Sequence, residues 1–173
     1  LDLGAGVGRH ALWLAQQGFA VTALDAAPEG MAAVAASGTE VTTVVAGMDA
    51  LPFDKGTFDH VLSWNVLYHG DEDVVLSAIG QIRRVLRPGG TFLGTMLSKR
   101  RLPHEKARPG GREVSRNTWV WPEEPGKDKH HPHYFCNAAE LVVLWGGFEL
   151  QWLEDREHEN PGSWHWHLIA ERL

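Results

Sequence analysis

Short apolar runs alternate with amphipathic segments along the chain. Leu1-Asp2-Leu3 leads into the alternate glycines Gly4, Gly6 and Gly8 and then into a helix-forming stretch. This predicts a strand, a tight turn and a helix over 9–18, with Ala11, Leu12 and Ala15 on one face and Gly18 as its stop. The β-rich run 19–24 predicts a second strand ending on Asp25, and Pro28 opens a helix that runs to about 37. A third strand spans 40–46, a turn covers 47–53, and a fourth strand spans 58–64. The best-defined helix covers 71–87, where Asp71, Glu72 and Asp73 at one end and Arg83, Arg84 and Arg87 at the other match the helix dipole. Its buried stripe is Val75, Ile79, Ile82 and Leu86, and Gly80 inside it predicts close packing against a neighbour. Pro88-Gly89-Gly90 ends the helix before a fifth strand over 91–97. Residues 98–133, polar and rich in Pro and Gly, predict a long irregular segment, ordered in part by Trp119 and Trp121 on one face of an extended run. Asn137-Ala138-Ala139-Glu140 reads as a capping box whose helix stops at Gly146-Gly147, and strands over 148–153 and 164–170 with a short polar connection suit an antiparallel pair. Strands and helices alternating at this spacing predict an α/β fold with a mostly parallel sheet.

Composition narrows the class. The 173 residues make about one domain, 43% hydrophobic and 22% charged as in a globular protein. No apolar run approaches the ~20 residues of a membrane span, so a cytoplasmic location is the default expectation. The single cysteine, Cys136, excludes an internal disulfide and a Cys-rich zinc module, and a net charge of −6 argues against a general nucleic-acid binder. The first strand has only Leu1 to Leu3 and no initiator Met, so an N-terminal piece of the natural protein is expected to be missing. Charge is uneven. Residues 98–133 hold 9 of the 16 Lys and Arg against 5 acids, a net +4, and the rest of the chain (7 basic, 17 acidic) is −10.

Chemistry enters at the glycine turn, where backbone N–H groups at a helix start are exposed to a ligand. Asp2-x-Gly4-x-Gly6-x-Gly8, an acid ending the second strand, Met48-Asp49 after the third and Leu86-Arg87-Pro88-Gly89-Gly90 before the fifth together resemble the class I S-adenosylmethionine-dependent methyltransferases. The resemblance covers residues 1 to about 97 and, in the terminal hairpin, the last two strands. It implies a Rossmann-like seven-stranded sheet in the order 3-2-1-4-5-7-6 with the last strand antiparallel. It also implies S-adenosyl-L-methionine as donor. A dinucleotide turn would place its third glycine at position 9, which is Arg9, so a nucleotide-dependent oxidoreductase is the weaker alternative. Asp2 suits a cationic donor better than a pyrophosphate. Asp25 can accept from both ribose hydroxyls, or else cap the next helix. By similarity to the family, Asp49 accepts from the adenine amino group while Met48 packs on the ring, and Asn65 offers polar groups near the methionine end. Asp49 and Asn65 could also be plain turn residues.

In-line methyl transfer depends chiefly on holding two reactants in line, and a base is needed only for a protonated acceptor. Tyr68 and His69, directly after the fourth strand, are the candidates at the mouth of the site. The [DNS]-P-P-[YFW] motif of amino-group methyltransferases and the Pro-Cys nucleophile are both absent, which turns the expectation away from nucleobase, glutamine and cytosine C5 chemistry. His133, with His130 and His131, closes the basic segment, while His165 and His167 share one face of the last strand. His-x-His on a strand could hold a metal. Without a carboxylate or Cys in register, the three are assigned to a substrate wall, with ordinary packing as the alternative, and no metal is assigned. Trp164 and Trp166, on the opposite face, read as core. His133-Tyr134-Phe135 and the following helix and strand are similar, more loosely, to small-molecule methyltransferases of the methyltransferase-11 and tellurite-resistance type. The chain therefore divides into a donor-binding half (1–97), a basic insertion over the acceptor side (98–136), and a terminal helix and hairpin (137–173). The +4 segment, with Lys99, Arg100 and Arg101, favours an anionic or polar small-molecule acceptor. A non-catalytic donor-binding module and a His-ligated metalloenzyme remain the rival expectations.

Overall fold

The computed structural model describes residues 1–126 and 128–173, and Lys127, one of the basic residues of the 98–133 segment, lies outside the described residues. The first half forms β1 (Asp2–Leu3), α1 (Arg9–Gln16), β2 (Thr22–Asp25), α2 (Pro28–Ala35), β3 (Thr42–Val45), β4 (Phe58–Ser63), α3 (Glu72–Val85) and β5 (Leu86–Ser98). After a 3₁₀ turn at Lys99–Arg101 come α4 (Leu102–Lys106), β6 (Arg112–Ser115), β7 (Thr118–Val120), β8 (His133–Cys136), α5 (Ala138–Leu144), β9 (Phe148–Glu157) and β10 (Trp164–Arg172). The main sheet runs β3-β2-β1-β4-β5-β10-β9, parallel through β5, with β10 antiparallel to both neighbours. This is the expected order, with β9 and β10 as the sixth and seventh strands. Parallel register brings the carboxyl ends of β1, β2 and β4 to one edge, at Leu3, Asp25 and Ser63.

Three local expectations are corrected. The helix expected to reach 87 ends at Val85, because Leu86 is already extended (φ −68°, ψ 142°) and pairs with Phe58 of β4. Leu86 is fully buried as the stripe required, but as a strand residue. Gly80 is exposed, and a Cβ added there would meet nothing within 4 Å, so close packing does not account for it. Residues 98–133 are more regular than expected up to Val120, and the expected extended run at Trp119 forms a strand. They hold α4 and an antiparallel β6–β7 ribbon, and β7 pairs with β8. β5 outruns β4, so its last residues Leu97 and Ser98 are free on that side to pair with Phe135 and Cys136 of β8.

The core fills one face of the sheet. Val61 and Phe92 point into it, beside Ile79 and Ile82 of α3 and Trp145 at the end of α5, whose ring lies 4.4 Å from that of Phe92. A satellite core joins Ala11, Ala23, Met31 and Val34 of α1, β2 and α2. The expected capping box of Asn137 and Glu140 is formed, and Asp71 also caps its helix by accepting from the Val74 N–H. On the other face, Leu62 and Leu93 line an open groove of about 1100 Å³ with Leu14, Phe19 and Val41. Among the described residues no helix is long and apolar enough to cross a membrane.

Candidate functional site

The glycine turn is held by contacts that differ at each glycine. Cβ atoms at Gly4 and Gly8 would lie 2.3 Å from Val66 and 2.4 Å from Val34, so β4's exit loop and α2 press directly on the turn. Gly6 (φ +55°) has nothing within 4 Å of that position and faces open space. Its N–H donates to Asp25 Oδ2 at 2.8 Å, and the Ala27 N–H donates to Asp25 Oδ1 at 2.8 Å. Asp25 therefore ties the end of β2 to the turn and to the start of α2, whose cap residue is Ala27. A carboxylate has about four lone-pair positions, so two acceptor positions remain. Asp2 is 1% exposed beside the turn, its Oδ2 has no hydrogen-bond partner, and burial raises its pKa against the nearby His10 and the Ala11 N–H.

The other residues expected to face the donor lie on the same carboxyl edge. Asp49 is exposed, with its carbonyl accepting from the Ser77 hydroxyl of α3 at 3.1 Å, and Met48 packs partly buried against the core. Asn65 takes a left-handed conformation (φ +61°) fixed by Thr95, whose hydroxyl accepts from the Asn65 N–H at 2.8 Å and donates to Asn65 Oδ1 at 3.1 Å. The open groove lined by Leu62 and Leu93 contains none of these residues.

Past Asn65 the structure gathers a wall of flat rings. Trp64 lies 5.0 Å from His167, and Tyr68 lies 4.6, 5.9 and 6.0 Å from His69, His133 and His165, between ring centroids. His158 joins them, stacked on His165 at 3.9 Å with its Nε2 2.7 Å from that of His167. His165 and His167 do share a face of β10, while Trp166 turns inward to donate to the Cys136 carbonyl at 2.9 Å. Burial lowers His165 to about 3, with His158 adding to the effect, and lowers His133 to about 4, with Lys129 adding to it.

Two expectations on this side are corrected. Tyr68 is not at an open mouth: it is 6% exposed, and burial pushes its phenol above the ordinary range. His69 turns both ring nitrogens toward the fold, Nδ1 lying 2.8 Å from the Val66 carbonyl and Nε2 3.1 Å from Asp128 Oδ2. The three cations offered for an anionic acceptor are also engaged within the fold. Lys99 pairs with Glu140 at 2.6 Å, Arg100 lies 3.3 Å over the Trp164 ring, and Arg101 donates to Glu105 at 2.6 Å and to Ser163 at 2.8 Å. Sequence inspection missed Trp64, Asp128 and His158, which stand in no periodic pattern. It also missed Gly30, where a Cβ would fall 2.5 Å from the Gly6 carbonyl oxygen; a glycine inside a short helix was the available signal.

A family model described as a methyltransferase domain matches residues 1–94. An uncharacterised methyltransferase of Synechocystis sp. is 36% identical over 92 residues, 53% of this chain and 43% of that protein. The chain thus spans less than half the length of that relative. A S-adenosylmethionine-dependent methyltransferase of Methanosarcina mazei superposes with a TM-score of 0.79 at 21% identity, over 99% of this chain and 91% of that one. The 1,6-didemethyltoxoflavin-N1-methyltransferase of Burkholderia thailandensis, solved with 1,6-didemethyltoxoflavin and S-adenosylhomocysteine, superposes with a TM-score of 0.74 at 22% identity, over 99% and 69%. At these identities the two likenesses show the fold. A family match over more than half of the chain, joined to a sheet in the order this family uses, means that the chain belongs to the methyltransferase-domain family of class I S-adenosylmethionine-dependent methyltransferases.

Proposed function

We propose that this chain binds S-adenosyl-L-methionine along the carboxyl edge of β1, β2 and β4 and transfers its methyl group, by in-line displacement, to a small polar molecule. Asp2, Gly4, Gly6, Gly8, Asp25, Met48, Asp49 and Asn65 hold the donor. The observation that carries this is the pairing of Asp25 with the Gly6 N–H across an open turn, beside a buried Asp2 oxygen that has no partner. An unpaired buried carboxylate oxygen is costly, and a cationic ligand beside it removes that cost. The free acceptor positions of Asp25 fit two ribose hydroxyls.

His133, His165 and His167, with Trp64 and His158, form the acceptor wall, and their flat rings suit a small molecule that is itself planar. Tyr68 and His69 shape that wall, because a buried phenol held protonated is a poor base and both His69 ring nitrogens face groups of the fold, Nδ1 the Val66 carbonyl and Nε2 Asp128. The insertion over residues 98–136 closes the acceptor side, and the paired state of Lys99, Arg100 and Arg101 favours a polar over an anionic acceptor. The Burkholderia enzyme, whose bound acceptor is a small molecule, supports the same substrate class.

Calorimetry with S-adenosylhomocysteine tests the donor site. Wild type is expected to bind, and Asp25→Ala to bind at least about tenfold more weakly, since hydrogen bonds to a charged group contribute about 1.5–3 kcal/mol each. Unchanged affinity in the variant, or no binding by wild type, overturns the assignment. A radiolabelled methyl-transfer screen over small molecules tests turnover, and binding without transfer to any acceptor would identify a donor-binding module instead.

A further inference from the structure

We infer that His69, His133 and Asp128 form a binding site for one first-row divalent metal ion. The site is built by a cross-strand pair. The Tyr134 N–H donates to the Tyr68 carbonyl and the Gly70 N–H to the Pro132 carbonyl, both at 2.9 Å, and His69 and His133 form the antiparallel bridge between them. Directly opposed residues in such a bridge project to the same side. Asp128, five positions before His133, comes from the loop that leads into β8 and meets both rings.

The tautomers are fixed by backbone carbonyls. Nδ1 of His69 lies 2.8 Å from the Val66 carbonyl and Nδ1 of His133 lies 2.8 Å from the His131 carbonyl, so each Nδ1 carries the proton and donates it. Each Nε2 is then left with a lone pair, and a carbonyl bonded to the far nitrogen is the usual support of a metal-bound histidine. Both lone pairs face one carboxylate oxygen: Asp128 Oδ2 is 3.1 Å from His69 Nε2 and 3.5 Å from His133 Nε2. Lone pairs directed at a negative oxygen repel it unless a proton or a metal cation lies between them. His133 Nε2 is the sharpest point, because that residue is 0% exposed and the atom has no hydrogen-bond partner.

The spacing fits a metal. Ligand atoms bound tetrahedrally at about 2.0–2.1 Å stand about 3.3 Å apart, and the two measured edges bracket that value. All three ligand atoms lie within 4.8 Å of one another, the closest group of three such residues among the described residues. Two imidazoles and one carboxylate select first-row ions such as Zn²⁺ or Fe²⁺ over Mg²⁺ or Ca²⁺, and three protein ligands leave a position for water or an oxygen ligand. The pair His165 and His167 lacks such a carboxylate: His167 Nε2 faces His158, and His165 Nε2 faces Arg101 at 3.3 Å. The site adjoins Tyr68, so its place on the acceptor side rests on the proposed function, whereas metal binding does not depend on donor or turnover.

Tag-free, chelator-treated protein titrated with Co²⁺, followed by visible absorption and then displaced by Zn²⁺, tests this. One equivalent of Co²⁺ with tetrahedral or five-coordinate bands is expected. Asp128→Ala and His69→Gln should each weaken it by at least about tenfold, the scale on which even supporting groups act. Asp128 is 57% exposed, so its replacement should leave the metal-free fold and melting temperature intact even if a change at buried His133 does not. His158→Gln and His167→Gln should leave Co²⁺ affinity unchanged. The assignment is overturned by binding well below one equivalent, by unchanged affinity in Asp128→Ala, or by loss in the His158 or His167 variants. S-adenosylhomocysteine affinity, measured on the same samples, separates a failed metal site from a failed donor site.

Discussion

Single residues here do two tasks at once. Asp25 fastens the glycine turn to α2 through two backbone N–H groups and still offers lone pairs outward, so its structural role and its donor role are compatible. Tyr68 shows the reverse. Chain position alone made it a candidate base, yet its ring is enclosed by His69, His133 and His165. Removing its hydroxyl should therefore matter little. Tyr68→Phe is expected to keep kcat within about threefold of wild type, against the 10²- to 10⁴-fold loss of a true general base. Steady-state kinetics on the first acceptor found will decide it.

At the scale of elements, propensity and packing separate cleanly in α3. Its stripe Val75, Ile79 and Ile82 is buried, its acids and arginines lie at the ends expected from the dipole, and Asp71 caps it. Gly80 alone runs against the helix with no steric reason. Gly80→Ala is expected to stabilise the chain by about 0.5–1 kcal/mol, a rise in melting temperature of about 2 °C, read by calorimetric or dichroism melts. The insertion is the opposite case. Only the alternation of Trp119 and Trp121 marks β7, and nothing periodic marks β6 or α4, because each is short and β6 is held by its pairing with β7. β7 exists by pairing with β8, and β8 by taking the edge of β5 that β4 leaves free.

For the molecule as a whole, the insertion is secured by a buried charge cluster. Glu105, 2% exposed, accepts from Arg101 at 2.6 Å and Arg108 at 3.3 Å, with Lys129 at 3.8 Å, and its carbonyl accepts from the buried Trp121 indole at 3.1 Å. Burial alone would raise the Glu105 carboxyl, but Lys129, Arg101 and Arg108 outweigh it and hold the pKa below 4.5. A depressed carboxylate contributes stability that is complete above its unfolded value of 4.5 and is lost as pH falls through its lower folded value. Acid should therefore loosen the insertion below that pH, seen as faster amide exchange in β6 and β7 relative to β1 and β4. Glu105→Gln should remove this acid transition and cost about 3 kcal/mol at neutral pH, because it leaves buried cations without a counter-charge. Urea titrations of the variant across pH would show a flat acid limb.

The sequence by itself determined what local chemistry decides. The strand and helix alternation, the Gly4 to Gly8 turn, the Asx caps and the βαβ order all depend on residues within a few positions of one another, so they were legible together with the family and the donor. The tertiary structure decided what depends on long-range pairing. His69 meets Asp128 and His133 across separations of 59 and 64 positions, through a bridge to β8, which pairs with the end of β5. The same long-range pairing encloses Tyr68, turns His69 toward Asp128 and gives Lys99, Arg100 and Arg101 partners within the fold. No period or motif encodes such contacts, because they are fixed by which strand edges are free once the sheet has formed.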